Sequence, residues 1–263
     1  MSQADLFQNE DKIITKMGRS FLGERVVYRG EDLHHQLADL PWIELYAFGI
    51  TGKKFTTDQA KLLNFIWAAT SYPDKSIWPN HISALAGSFK TSPALAMSAS
   101  IASCDAEIFG GKPLRGAADF FVRALAHVDQ DGDLEEYVLE ELKTHRTVFG
   151  YGRPLASSDE RIPHTIKFVR QLDLPTTKHF DLAISVGKIL KKRKRLNMNA
   201  ASLFSAIGMD LGFSPKAFHT YMTLCFVAGM SPCYLEADEQ VEGTFLPVRC
   251  DRLKYAGVGK RDW

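Results

Sequence analysis

Apolar residues recur at intervals of three and four through most of this chain, and that period commits it to helices. Phe55-Thr56-Thr57-Asp58-Gln59 opens the run AKLLNFIWAAT, in which Leu62, Phe65, Ile66 and Ala69 share one face. Thr56 and Gln59 stand three residues apart, the spacing of a capping box that satisfies two orphan amides at a helix start. Ser92-Pro93 opens a second run, ALAMSASIASCDAEIF, which Gly110-Gly111 is expected to close. Small residues such as Ala94, Ser98, Ala99 and Ala102 would let a neighbouring backbone approach it closely. A third helix is expected from Asp133 to His145, with Leu134, Tyr137, Val138 and Leu142 on one face. Segments 176–192 and 215–230 carry the same pattern, the latter after Ser214-Pro215. Clean alternation is scarce, and the tail EGTFLPVRC offers a short strand at most. The fold class is therefore all-α, broken at Gly110-Gly111-Lys112-Pro113, at Gly150 to Pro154, and at Leu174-Pro175.

Composition narrows the function. The 263 residues carry 32 Lys+Arg against 31 Asp+Glu, and 45% are hydrophobic. That balance excludes a disordered chain and lacks the basic excess of a general nucleic-acid binder. No run approaches the 18 or so apolar residues of a membrane span. The polar start MSQADLFQNEDKIITK has no signal-peptide pattern, so a cytoplasmic protein is expected. Cys104, Cys225, Cys233 and Cys250 form no CxxC pair, which suggests free buried thiols, and no metal is expected. Lys191-Lys192-Arg193-Lys194-Arg195 is the one strong charge run. It suits a solvated helix end, a docking site for the phosphates of a nucleotide-containing cofactor, or a nucleic-acid contact, in that order.

The Gly-rich stretch is the most specific feature. Thr147-Val148-Phe149-Gly150-Tyr151-Gly152-Arg153-Pro154-Leu155, followed by Asp159-Glu160-Arg161, resembles the PGYGH and DPR segments of the citrate synthase family. Three further segments agree in order: Gly111-Lys112-Pro113-Leu114-Arg115-Gly116-Ala117-Ala118 with GPLHGGA, Leu196-Asn197-Met198-Asn199 with NVDFYSG, and the tail RLKYAGVGKRDW with RPRxxYxGxxxRxF. The chain is similar in size to the compact citryl-CoA lyases and to the lyase module of ATP-citrate lyase. The resemblance implies an all-α, citrate synthase-like homodimer. It has a large dimerising helical domain (1–116 and 221–263) and a small CoA-binding helical domain (117–220). It also implies that coenzyme A, as a thioester, meets Phe149, Gly150, Tyr151 and Gly152, where glycines permit positive φ and close approach.

The positions that carry chemistry in the family are changed. Arg115 replaces the histidine that stabilises the thioester enol, Arg153 replaces the histidine that holds the keto-acid carbonyl, and Asn199 replaces the aspartate that removes the α-proton. Phe226 occupies the position of an arginine that helps hold a dicarboxylate. Arg161 matches the DPR arginine that binds a carboxylate, His81 falls near the histidine of DHE, and Arg249 matches the tail arginine that enters the partner's site. An amide cannot take a proton at neutral pH, and arginine does not give one up. Arg115 and Arg153 can still hold a carboxylate or face an enolate as fixed charge. The expected catalytic set is Arg115, Arg153, Asn199 and His81, with Arg161 and Arg249 binding substrate and Asp159 a structural partner of Arg161. Asp119, one turn after Arg115, is an alternative base to His81.

Two functions follow. One is a CoA-thioester-dependent carbon–carbon lyase or synthase acting on a carboxylated acyl-CoA. The other is a catalytically inactive CoA-binding or partner subunit of the same fold. Neither calls for nucleic acid or membrane as partner.

Overall fold

A computed structural model describes residues 7–8, 10–152, 158–245 and 248–259. It is built of helices behind a small antiparallel sheet: β1 (Gly18–Phe21), β2 (Arg25–Tyr28) and β3 (Glu31–Asp32). Gly18 pairs with Tyr28 and Phe21 with Arg25, so the intervening turn carries Gly23 at φ 74°. Tyr28 leaves the sheet to meet Phe48 edge-on at 5.8 Å. Arg29 donates from Nε to the Gly49 carbonyl at 2.8 Å and from Nη2 to that of Ile50 at 2.9 Å. These carbonyls belong to the last turn of α1 (Trp42–Thr51), which lacks a basic residue of its own there.

The helices α2 (Thr57–Thr70), α3 (Trp78–Ser88), α4 (Pro93–Ala102), α5 (Gly111–Val128), α6 (Leu134–His145), α7 (Arg161–Val169), α8 (Lys178–Lys194), α9 (Ala200–Asp210), α10 (Pro215–Cys225) and α11 (Val227–Asp238) follow, with a 3-10 turn at Cys250–Arg252. Their starts are locally encoded. Thr56 and Gln59 form the capping box of α2, and Ser92, Asp133 and Ser214 cap α4, α6 and α10. Helix α8 has a tertiary cap: Asp210, at the end of α9, accepts from the amides of His179 and Phe180.

Two expectations of helix length are corrected. The run from Pro93 stops at Ala102, and Gly110-Gly111 opens α5 rather than closing α4. Gly110 has φ 75°, and a Cβ there would lie 2.0 Å from the Cys104 carbonyl oxygen, so only glycine makes this entry. The segment 215–230 is likewise two helices, α10 and α11, that meet at Phe226. Residues 242–245 form no strand, and 246–247 lie outside the described residues.

Helix α9 is the axis of the core. Ala200 and Ser202 to Met209 are all buried, with α5, α7, α8 and α10 packed around it. Such a helix, buried on nearly every side, is stable only inside the protein. Phe120, Phe121, Phe180, Phe204 and Phe218 fill the space between these helices. A second cluster joins α3 to α11 through Ala84, Cys233 and Ala237, and the chain end straps over it: Gly243 donates to the Ser88 carbonyl and Phe245 to the Ser88 hydroxyl, each at 3.0 Å. Cys104, Cys225 and Cys233 are buried free thiols, whereas Cys250 is exposed. Among the described residues no helix is long and apolar enough to cross a membrane.

Candidate functional site

The 148–152 loop runs beside residues 197–199, the strand-like approach to α9. Tyr151 and Met198 form an antiparallel bridge, Gly152 donates to the Asn197 carbonyl at 2.7 Å, and Asn199 donates to the Gly150 carbonyl at 3.0 Å. Gly150 (φ 90°) and Gly152 (φ 92°) supply conformations that side chains resist. At Gly150 space is also required, since a Cβ would lie 2.7 Å from the Ser202 Cα. Tyr151 is a buried anchor whose hydroxyl donates to the Ala183 carbonyl at 2.7 Å, and burial drives its pKa well above the ordinary value. Phe149 lies on Gly116 of α5, where a Cβ would come within 2.3 Å of the ring. The loop and Arg115 are thereby neighbours.

Asn199 is committed to this architecture. Its Oδ1 accepts from the Ala201 amide at 3.0 Å, capping α9, and its Nδ2 donates to the Gly152 carbonyl at 2.8 Å. An aspartate could make the first bond but not the second.

Asp159 and Arg161 form the electrostatic centre. Asp159 is 1% exposed and receives Nε of Arg161 on Oδ1 and Nη2 on Oδ2, both at 2.8 Å. Its Oδ2 also accepts from the Ala200 amide at 2.8 Å, in the first turn of α9. Burial alone would raise this carboxyl, but the Arg161 fork and the amides outweigh it and hold it below the ordinary value. The guanidinium, which burial would lower, is raised by Asp159. The expected structural partnership is present, and it uses one edge of the Arg161 fork.

Tyr72 is the residue that sequence reasoning missed. The Arg161 guanidinium lies 5.2 Å from the centroid of its ring, and its hydroxyl donates to Glu160 Oε1 at 3.0 Å. Burial and the Glu160 bond raise the phenol. The Ser71–Ile77 connection thus reaches the site, a placement that no local pattern announces. His81 is placed differently from Tyr72: its Nδ1 faces the Lys75 carbonyl at 3.2 Å and its ring lies 4.9 Å from that of Phe245.

Arg115 is half-exposed on α5 with Asp119 3.9 Å away. Arg249 is exposed and pairs with Asp251 at 2.6 Å. Arg153 lies outside the described residues. Beside the 196–198 segment, a hollow of about 390 Å³ is walled by Ile162, Ile166, Ile184, Leu196 and Met198, with Lys188 and Lys191 at its edge.

No protein-family model matches the chain, and no curated protein matches it. Solved structures do. Citryl-CoA lyase from Hydrogenobacter thermophilus superposes with a TM-score of 0.84 at 18% identity, over 95% of this chain and 97% of that one. ATP citrate lyase from Methanothrix soehngenii, solved with citrate and coenzyme A, gives 0.79 at 16% identity over 99% of this chain, which spans 45% of that chain. Citrate synthase from Thermotoga maritima MSB8 gives 0.63 at 18% identity, over 86% and 60%. The chain has the fold shared by these proteins, in the compact extent of the citryl-CoA lyase.

Proposed function

We propose that this chain binds a coenzyme A thioester beside the 149–152 loop and makes or breaks a carbon–carbon bond in a carboxylated acyl-CoA. The observation that carries the reading is the lashed loop, with its paired positive-φ glycines next to an apolar hollow edged by Lys188 and Lys191. Such a place suits a flat base against backbone and apolar walls, with phosphates against the lysines. The loop residues Phe149, Gly150, Tyr151 and Gly152 are the proposed CoA contacts. The basic run from Lys191 to Arg195 serves the phosphates in this reading.

In the cleavage direction, the C2–C3 bond of a 3-carboxy-3-hydroxyacyl-CoA breaks. The hydroxyl gives its proton to a base, C3 becomes the carbonyl of a 2-oxo acid, and the electron pair passes to the thioester as an enolate, which is then protonated. Arg161 holds a carboxylate through the edge that Asp159 leaves open, and Arg115 faces the enolate oxygen as fixed positive charge. Arg153 keeps the carbonyl-holding role given by the resemblance, and Asn199 orients the loop. Glu160, hydrogen-bonded to Tyr72 beside Arg161, is the proposed base in preference to His81 and Asp119. Two copies of the chain pair through the exposed small-residue face of α4, with Arg249 reaching the partner's cleft. A larger domain of 1–116 and 221–263 and a smaller one of 117–220 border the ligand and share helices α5 and α10. Buried free thiols suit a reducing, cytoplasmic setting.

A second reading, a CoA-binding subunit without turnover, is favoured by one fact: the side chain at 199 carries no base and is fully engaged in structure. One experiment tests both. Thermal shifts with CoA, acetyl-CoA and carboxylated acyl-CoAs are followed by assay for release of a 2-oxo acid. A rise in melting temperature with CoA, growing with one acyl group and followed by turnover, is expected. Binding without turnover selects the second reading, and no shift at millimolar ligand overturns both.

A further inference from the structure

Three aromatic rings gather beside the Ser71–Ile77 connection, and the mechanism above uses none of them. Trp78 and Phe109 lie 5.7 Å apart by ring centroid, and Phe109 and Phe226 lie 6.2 Å apart. They come from three separate elements: the first residue of α3, the residue before Gly110 at the entry to α5, and the junction of α10 with α11. The cluster is not sealed, since Trp78 is 52% exposed and both phenylalanines are only partly buried.

Its neighbours tie it to the site. Asn80, two residues beyond Trp78, donates to the Tyr72 carbonyl at 2.6 Å, and Gly229, three beyond Phe226, packs so closely that a Cβ would lie 2.3 Å from the same oxygen. Tyr72 is the ring under the Arg161 guanidinium. On the other side, Phe109 leads through Gly110 into the first turn of α5, which carries Arg115. The cluster is therefore linked through Tyr72 to the ring under Arg161, and through Gly110 to the helix that carries Arg115. It holds no charge of its own. Among the described residues, cation–ring contacts fall on Phe21, Phe245, Tyr72 and Phe180, and none falls on these three rings.

From this juxtaposition we infer that Trp78, Phe109 and Phe226 form a specificity subsite for an apolar substituent on C3 of the substrate. The inference rests on the proposed function and specifies its substrate class: a 2-oxo acid with one carboxylate and a branched aliphatic or aromatic side chain. A carboxylate gains neither a hydrogen bond nor a charge from the three rings, whereas an alkyl or phenyl group against them is taken from water.

The test is titration calorimetry of the CoA-saturated protein with oxaloacetate, 4-methyl-2-oxopentanoate and phenylpyruvate. The latter two bind at least about tenfold more tightly than oxaloacetate. Phe226→Arg reverses that order, and Phe226→Leu, a milder change should the first fail to fold, weakens phenylpyruvate while keeping the order. Oxaloacetate binding equally or better in the unchanged protein, or an order that neither variant alters, overturns the subsite. A CoA thermal shift without this ranking overturns the subsite alone. The ranking without any CoA effect, measured on the protein by itself, overturns the CoA reading and leaves the subsite standing.

Discussion

Asn199 Nδ2 donates to the Gly152 carbonyl at 2.8 Å, across the gap between the cap of α9 and the last described residue of the glycine loop. One amide thus fixes a helix start and the loop beside it. Asn199→Ala removes both bonds and lowers stability by about 2 kcal/mol, one for the cap and one for the tie. Asn199→Asp retains the cap but sets a carboxylate oxygen against the Gly152 carbonyl. Its thermal stability stays nearer that of the unchanged protein, while the CoA-induced thermal shift falls. Equal CoA shifts in all three proteins would show that the tie does not shape the loop.

Asp159 is a buried carboxylate whose titration bears on the fold. Its pKa is lowered in the folded chain from an ordinary 3.8, so its contribution to stability is present above that value. The contribution is lost as pH falls through the lower folded value. Urea unfolding at a series of pH values shows the unchanged protein losing stability below about pH 4. Asp159→Asn is less stable by about 3 kcal/mol at pH 7, because it strands the Arg161 charge, and its stability falls less steeply in acid.

Gly150→Ala is expected to be among the costliest single-methyl additions in the chain. Its φ of 90° and the Ser202 Cα at 2.7 Å from the new Cβ act together. A loss of about 2–4 kcal/mol follows from backbone strain and overpacking combined. Gly259→Ala, where nothing lies within 4 Å of the built Cβ, serves as the control and changes stability little. Denaturant midpoints of the two variants distinguish the positions.

Lys188 and Lys191 edge the hollow beside the loop, and both are exposed. The double change to glutamine weakens CoA binding about tenfold at low ionic strength, and the difference narrows in high salt because exposed charges are screened. Calorimetric titrations at two salt concentrations measure it. An affinity indifferent to both changes would move the phosphates elsewhere.

What could be read from the sequence was local. The capping box at Thr56 and Gln59, the caps at Ser92, Asp133 and Ser214, and the face of Leu134, Tyr137, Val138 and Leu142 depend on residues within one or two turns, and the helices begin where these signals put them. The glycines of the 149–152 loop and the Asp159–Arg161 partnership were legible for the same reason. The small sheet was not, because RVVY is too short to show a period. The end of α4 at Ala102 was hidden by Cys104 to Phe109, which keep an apolar rhythm while leaving the helix. Tyr72 escaped because its place beside Arg161 is set by how the Ser71–Ile77 connection crosses from α2 to α3. His81 is singled out by its nearness to the DHE histidine of the resemblance, and its ring lies against Phe245.

The two arginines differ in how freely they can be exchanged. Arg161 shares a buried carboxylate with the first turn of the central helix, so any replacement that alters its charge also disturbs α9. Arg115 stands half in water with a loose partner, and its loss touches no other element of the scaffold. Inheritance can therefore rewrite the surface at Arg115 without disturbing a second element of the scaffold. A change at Asp159 or Arg161 alone costs stability, because each leaves the other's charge stranded. The proposed site is open to revision at its edges and fixed at its centre.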